Sequence, residues 1–476
     1  MTEYFAYDVR GIKNFIFESN EFRCIHGASR LLDDFDQSVQ EILKELGLTC
    51  IFAGGGTGLF RLPENADIKK DKIEEQIENI RAEYLMDHHV EYVFVDPDTV
   101  QTSLYSDAHL DSLDSFDENN YSKFFARIAL KLNKEKNRFK PQGEIRVKKL
   151  CRLCGCREAS ETIIVADEEG YQEKQVCKMC YKKFNRAKQE KAQFFSLNDI
   201  SECSTRSSSD QESEKAGYIA VIYGDGNSFG NIYKKFTVNN DFKEYKGFSK
   251  DLKQFTDDCR ALLTRTAKRY VAPLLGGDDI LVFLSPSQMF DTLNALVKEI
   301  SNRRFGGHKL TFSFGVAVVP STLPLKFIFN TAQTLLKAAK KRRYEIKEGF
   351  AISFRYLKSF DLNPCKEVEN ISFGDGFTKE EFDRILEIHS GFHEMLQNRS
   401  TINKIYQIVS QQGENRAAIK ITLEYFLFRA APKDTDVSEL VRFLLHLRKG
   451  KYVHLGTFLD ICDFMMDFSN NNGKGG

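Results

Sequence analysis

A chain of 476 residues exceeds what a single hydrophobic core serves and predicts about three domains. Its 68 Lys and Arg balance 68 Asp and Glu, which excludes a globally basic nucleic-acid binder and makes any charged surface local. The start, Met-Thr-Glu-Tyr-Phe-Ala-Tyr-Asp, has no basic segment leading into an apolar run, and nothing approaches the ~20 apolar residues of a membrane span; neither a signal peptide nor a membrane partner is expected, and a cytoplasmic location is.

Taken in chain order, Tyr4 to Val9 reads as a strand and residues 29 to 46 as a helix. Leu48 to Leu62 reads as strand, glycine turn, strand; a helix over 71 to 87 and a strand over Val90 to Val95 follow. The next region, 141 to 200, holds Cys151-x-x-Cys154 and Cys177-x-x-Cys180, 22 residues apart. Two such knuckles supply four thiolates for a tetrahedral structural Zn²⁺, whereas the remaining cysteines are scattered and suggest no disulfide framework. Cys156 is an extra thiol and not an expected ligand. The surrounding Lys148, Lys149, Arg152, Arg157, Lys178, Lys182, Lys183, Arg186 and Lys188 are interleaved with acids, and read either as a solvated face or as a surface for RNA or a partner.

A polar, serine-rich linker spans 201 to 216. Beyond it the first pattern returns. Tyr218 to Tyr223 is a strand running into Gly-Asp-Gly-Asn, and residues 248 to 269 have helical spacing. The segment 269 to 284, Arg-Tyr-Val-Ala-Pro-Leu-Leu-Gly-Gly-Asp-Asp-Ile-Leu-Val-Phe-Leu, is a hairpin; a helix over 287 to 304, a strand over Leu310 to Val319 and a basic helix over 325 to 343 complete it. The order βαββαβ is ferredoxin-like. Asp8 precedes Gly55 by 47 residues and Asp225 precedes Gly277 by 52. Superposing the two turns puts Gly54 and Gly55 on Gly276 and Gly277, with Gly56 and Thr57 in place of Asp278 and Asp279. The first copy thus keeps the fold and loses the hairpin acids.

Helical periodicity then dominates 378 to 396, 401 to 411, 415 to 430, 436 to 448 and 454 to 468, and the last residues, 471 to 476, read as a disordered tail. The expected architecture is α+β: a first ferredoxin-like domain over 1–140, a zinc-ribbon region over 141–200, the linker over 201–216, a second such domain over 217–360 and an all-helical domain over 361–470.

Adjacent acids between apolar strands repel unless a cation or hydrogen bonds neutralise them, though Gly-Gly and Gly-Asp also make ordinary turns. Asp225 changes the balance. It ends a strand that should neighbour the Asp278–Asp279 hairpin, so the three carboxylates can serve Mg²⁺ (or Mn²⁺) and phosphate chemistry. Gly226, Asn227, Ser228, Phe229 and Gly230 are small enough, taken as a segment, to bring backbone N–H groups to phosphates. Lys340, Lys341, Arg342 and Arg343 end the last helix and read either as triphosphate neutralisers or as a helix end complementing its dipole. No G-x-x-x-x-G-K-[ST] loop is present, and His88-His89 has no partner set for a phosphohydrolase metal site.

These residues resemble a known family. Gly276-Gly277-Asp278-Asp279 with the upstream Tyr-Gly-Asp-Gly-Asn looks like the catalytic palm of the type III CRISPR large subunit (the Cas-ten family), a relative of GGDEF diguanylate cyclases and class III nucleotide cyclases. Thr311-Phe312-Ser313-Phe314-Gly315 is similar to its later strand, and Ala338-Ala339-Lys340 to its last helix. Asp8-Val-Arg-Gly-Ile-Lys-Asn-Phe-Ile-Phe and Arg23-Cys-Ile-His-Gly-Ala-Ser-Arg-Leu-Leu resemble the non-catalytic first palm. The resemblance implies a nucleotide-cyclase-like enzyme that joins ATP into cyclic oligoadenylates for antiviral defence. Asp225 and Asp278 would hold Mg²⁺, and Asp279 would support the second metal or the attacking hydroxyl. Residues 226 to 230, Gly276, Gly277, Ser313 and Lys340 would bind nucleotide. It further implies CRISPR effector subunits and guide or target RNA as partners. Because the chain begins at the first palm, no HD nuclease is expected. A cyclic di- or mononucleotide product, and a non-catalytic nucleotide-binding scaffold, are the alternatives; base specificity, ring size and activating signal are not legible.

Overall fold

β1 (Tyr4–Val9), α1 (Ile12–Ile16), α2 (Phe22–Glu45), β2 (Thr49–Gly54), β3 (Thr57–Arg61), α3 (Lys70–Tyr84) and β4 (Val90–Val95) open the chain in the computed structural model. The structure describes residues 3–63, 70–86, 88–95, 128, 132, 149–167, 170–189, 197–203, 217–227, 229, 232, 236, 239–346, 349–357, 377–396, 398–411, 416–432, 435–449 and 453–468. Most of the expected linker (204–216) and the expected tail (471–476) lie outside the described residues. The chain divides into two compact units. One comprises Met1–Phe195, Ser228–Asp258 and Arg304–Lys309, and the other Ser196–Asn227, Cys259–Arg303 and Leu310–Gly476.

In the first unit the sheet order is β2-β3-β1-β4, every neighbour antiparallel, as a split βαβ unit requires. β1 is central and nearly all buried, and α2 lays Phe22, Ile25, Ala28, Leu31, Leu32, Phe35, Val39 and Leu43 along one buried stripe. Phe22 and Ile25 extend that stripe N-terminally, so the helix starts about two turns before the residue 29 expected from the sequence. β5 (Glu161–Asp167) and β6 (Gly170–Val176) form a hairpin, and α4 (Lys178–Gln189) follows it.

Asp36 on α2 is a carboxylate inside this core. Tyr7 donates its hydroxyl to Oδ1 at 2.7 Å, and the Gly56 backbone N–H donates to Oδ2 at 2.8 Å, tying the glycine turn to the helix from beneath. Burial outweighs both hydrogen bonds and pushes Asp36 up to about 7. Between its ordinary 3.8 and 7 the folded protein holds a proton that the unfolded chain has released, so stability present below pH 4 is lost as pH rises to 7 and changes no further above it. Asp36→Asn removes this loss. Its melting temperature relative to wild type should rise between pH 4.5 and pH 8 by the equivalent of at most about 4 kcal/mol. A constant difference across that range would refute the assignment.

The second unit contains α5 (Leu197–Ile200), β7 (Tyr218–Gly226), the C-terminal part of α6 (Asn239–Thr266), β8 (Tyr270–Gly276), β9 (Asp279–Leu284), α7 (Met289–Ser301), β10 (Phe312–Pro320), α8 (Leu325–Ile346), β11 (Ala351–Tyr356) and β12 (Phe377–Thr378). Its sheet runs β12-β11-β10-β7-β9-β8, which contains the same four-strand order as the first. β11 was not expected from the sequence. It runs parallel to β10 and is almost wholly buried, and its residues alternate from Ile352 to Tyr356, a short period-two signal that the sequence reading passed over.

Six helices end the described chain: α9 (Lys379–Gly391), α10 (His393–Leu396), α11 (Arg399–Gln411), α12 (Arg416–Ala430), α13 (Ser438–Lys449) and α14 (Val453–Phe468). A capping box between Thr378 and Glu381 fixes the start of α9. The single helix expected over 378–396 breaks at Phe392, whose backbone leaves the helical region after Gly391. Within this unit Phe290, Phe354, Phe382, Phe464 and Phe468 join Tyr218 and Tyr356 in a ring cluster that ties the sheet to the last helices. Arg355 pairs with Asp460 at 3.3 Å on the same seam. Among the described residues, no helix is long and apolar enough to cross a membrane.

Candidate active site and cysteine centre

The two hairpins share a register but not a turn. Gly54 faces Thr57, and Gly276 faces Asp279, so each loop has two central residues. In the first hairpin both, Gly55 and Gly56, have φ near +65° and +80°, as a type I′ turn demands. In the second only Gly277 is positive, at +60°, which is the II′ pattern. That difference releases position 278 from the need for glycine and lets it carry a carboxylate. The surroundings correspond closely: Val9 N–H donates to the Gly56 carbonyl at 2.7 Å, and Gly226 N–H to the Asp278 carbonyl at 2.8 Å. Asp8 lies opposite Thr57 and Glu91, whereas Asp225 lies opposite Asp279 and Ser313.

Asp225 and Asp279 are therefore direct cross-strand neighbours on β7 and β9, an arrangement that is repulsive for like charges. A cation answers it. Lys340 on α8 places Nζ 2.6 Å from Asp225 Oδ2. The reach depends on Gly315 in β10, where an added Cβ would stand 2.3 Å from the Ala332 carbonyl oxygen and the Leu336 nitrogen; only glycine lets α8 lie so close to the sheet. Tyr223, which sequence reasoning missed, donates its hydroxyl to Asp279 Oδ1 at 3.2 Å. The available signal was the period of two, since Tyr223 and Asp225 share one face of β7.

The other expected nucleotide-binding residues fall in different places. Ser313 is fully buried and donates to Asn227 Oδ1 at 2.7 Å, while Asn227 Nδ2 donates to Thr311 Oγ1 at 3.1 Å. These side chains brace the strand ends. Phe229 is buried in the first unit with its ring 5.8 Å from Phe248. Ser228 and Gly230 lie outside the described residues. Arg342 pairs with Glu381 at 2.7 Å rather than facing the carboxylates.

In the first unit, Cys151, Cys154, Cys177 and Cys180 bring their sulfurs within 4.8 Å of one another, the one such group among the described residues. Hydrogen bonding from Cys154 pulls the Cys151 thiol down, and hydrogen bonding to Cys151 pushes the Cys180 thiol up. Four thiolates cannot coexist there without a cation, and the donor set suits Zn²⁺. Cys156 is exposed and outside this group of four, its thiol donating to the Cys154 carbonyl at 3.1 Å. Three of the basic residues around the cysteines turn to partners within the fold. Lys183 is wholly buried, donating to the Phe15 carbonyl at 2.6 Å and to Glu18 at 3.1 Å, and Arg157 reaches the other Glu18 oxygen at 2.5 Å. Burial alone would raise the Glu18 carboxyl, but the Arg157 hydrogen bond and the Lys183 charge hold it below its usual value. Arg186 forms a two-pronged pair with Asp34. Ion pairing inside the fold thus takes up Arg157, Lys183 and Arg186, while Lys149, Arg152, Lys178 and Lys188 stay exposed.

Residues 218–348, from the start of β7 to just past α8, match the family model described as Cas10/Cmr2, second palm domain. This stretch is similar to a Cas10/Cmr2 second palm. It contains Asp225, the Gly276–Asp279 turn, Gly315 and Lys340. Beyond the palm, the chain is similar in fold to a Csm1–Csm4 cassette in complex with cA4, with a TM-score of 0.60 and 14% identity over 98% of this chain and 70% of that one. The same figures relate it to Csm1 of T. onnurineus. A Csm1–Csm4 cassette in complex with AMPPNP follows at 0.57 and 14%, over 96% of this chain and 70% of the other. No curated protein sequence matches the chain. The resemblance read from the turn and its flanking segments therefore holds for the second palm, and at the level of fold for the rest.

Proposed function

We propose that this protein is a metal-dependent nucleotidyltransferase that joins ATP into cyclic oligoadenylates in CRISPR-type defence. The observation that carries the reading is the cross-strand Asp225–Asp279 pair, with a lysine ammonium already drawn to 2.6 Å of Asp225. Carboxylates that attract a cation this way suit Mg²⁺ or Mn²⁺, and Asp278 adds a third at the turn. Such a cation, when bound, supplies charge neutralisation for the triphosphate and acidifies the attacking 3′ hydroxyl.

The chain's own residues do the rest. Asp225 and Asp278 hold the cation, and Asp279 orients the attacking hydroxyl or the second metal, with Tyr223 fixing its carboxylate. Gly226, Gly276 and Gly277 keep the approach to the turn free of side chains, and Lys340 meets the triphosphate. Asn227 and Ser313 hold β7 and β10 in register beneath. The fold relatives solved with cA4 and with AMPPNP support this choice of substrate and product. The likeness to Csm1–Csm4 cassettes supports a CRISPR effector subunit as partner. The four cysteines hold a structural Zn²⁺.

The test is to incubate purified protein with each of the four nucleoside triphosphates and Mg²⁺, with and without RNA, and to resolve the products by mass spectrometry. Cyclic oligoadenylates from ATP are expected. A cyclic mono- or dinucleotide would redirect the assignment, and nucleotide binding without turnover under all conditions would make the protein a scaffold.

A further inference from the structure

The second palm keeps almost every aromatic ring inside. Among its described residues the exception is Tyr344, 80% exposed in the last turns of α8, while the other aromatic side chains are buried or half-buried. Single exposed aromatics are ordinary, so exposure alone assigns nothing. The position does. Tyr344 lies four residues beyond Lys340, on the same helix face and about 6 Å further along the axis. Helical side chains lean toward the N-terminus, so this ring leans back over the turn that bears Lys340. Lys340 in turn reaches Asp225 at 2.6 Å. One face of α8 thus presents a cation at the carboxylates and, one turn away, a bare aromatic surface. A nucleoside triphosphate has the same layout, with anionic phosphates at one end and a flat base one sugar away.

We infer that Tyr344 is the stacking platform for the base of the triphosphate held at Lys340, an inference that rests on the nucleotide reading above. Stacking uses the π face that every base has, so Tyr344 sets affinity rather than base choice. Its exposure lets it be replaced without opening the core.

Calorimetric titration of wild type, Tyr344→Phe and Tyr344→Ala with AMPPNP and Mg²⁺, and separately with inorganic tripolyphosphate and Mg²⁺, tests this. Tyr344→Ala should bind AMPPNP about tenfold more weakly and tripolyphosphate with unchanged affinity, and Tyr344→Phe should match wild type for both. In turnover the loss should appear as a KM raised about tenfold with kcat within about twofold. If wild type binds both ligands and Tyr344→Ala weakens neither, or weakens both equally, the stacking role is wrong while the nucleotide site stands. If wild type binds neither ligand, the nucleotide reading itself falls, and Tyr344 with it.

Discussion

Asp225→Asn is expected to cut product formation from ATP about a thousandfold or more while leaving the melting temperature near that of wild type. The substitution keeps the shape of the side chain at the end of β7 and removes the charge that faces Asp279 and binds Lys340. Loss of a catalytic cation, and of its charge neutralisation, is worth several kcal/mol in the transition state, far more than the exposed part of an ion pair contributes to folding. Asp278→Ala combined with Asp279→Ala should give the same loss from the neighbouring hairpin, because the cation would keep one carboxylate of three. Rates measured at saturating ATP and across Mg²⁺ concentrations distinguish a weakened metal site from a dead one. Wild-type product levels from the Asp278→Ala/Asp279→Ala protein would sink the assignment of this corner as the catalytic one.

Cys177→Ser should have the largest effect on stability. In isolated zinc-binding modules the metal contributes about 10–16 kcal/mol, as much as or more than the entire stability of a typical domain. Here the consequence spreads, because Cys177 and Cys180 stand at the start of α4, whose buried Lys183 neutralises Glu18 and caps the Phe15 carbonyl. Releasing that turn leaves a buried charge without its partner, which is itself costly. Zinc content should fall from one ion per chain to none, and the first unit should melt about 10 °C lower or more, as followed by circular dichroism because the chain has no Trp. Full thermal stability in a zinc-free Cys177→Ser protein would show that the four sulfurs are not a structural centre.

The parts of this molecule that sequence reasoning reached were those written in local periodicity. Val90 to Val95 and the two glycine hairpins alternate or turn with residue types that have few other uses, and the order of elements then suggested the four-strand pattern seen in both sheets. Asp225 could be linked to Asp279 because strand order fixes neighbours, even across 54 positions of sequence. What escaped was set by tertiary pairing. β11 alternates only over the five residues Ile352 to Tyr356, and its place beside β10 is set by parallel pairing; the β5–β6 hairpin between the cysteine pairs was not anticipated either. The fate of the basic residues also escaped. Nothing local marks Lys183 as buried, since its partners Phe15 and Glu18 lie more than 160 residues away. Ser313 illustrates the same limit: its residue type suited phosphate binding, but Asn227, just past the end of β7, accepts its hydrogen bond.

The Lys340–Asp225 contact has a thermodynamic corollary. Under the proposed function, a divalent ion arriving at Asp225 and a triphosphate arriving at Lys340 would each have to break this one pair. Whichever comes first bears the whole penalty of separation, and the second finds its partner already released. The two ligands are thereby linked, and each raises the affinity of the other by the same factor. Magnesium-free nucleotide and nucleotide-free magnesium both bind weakly in such a site, and the metal–nucleotide complex is the species it favours.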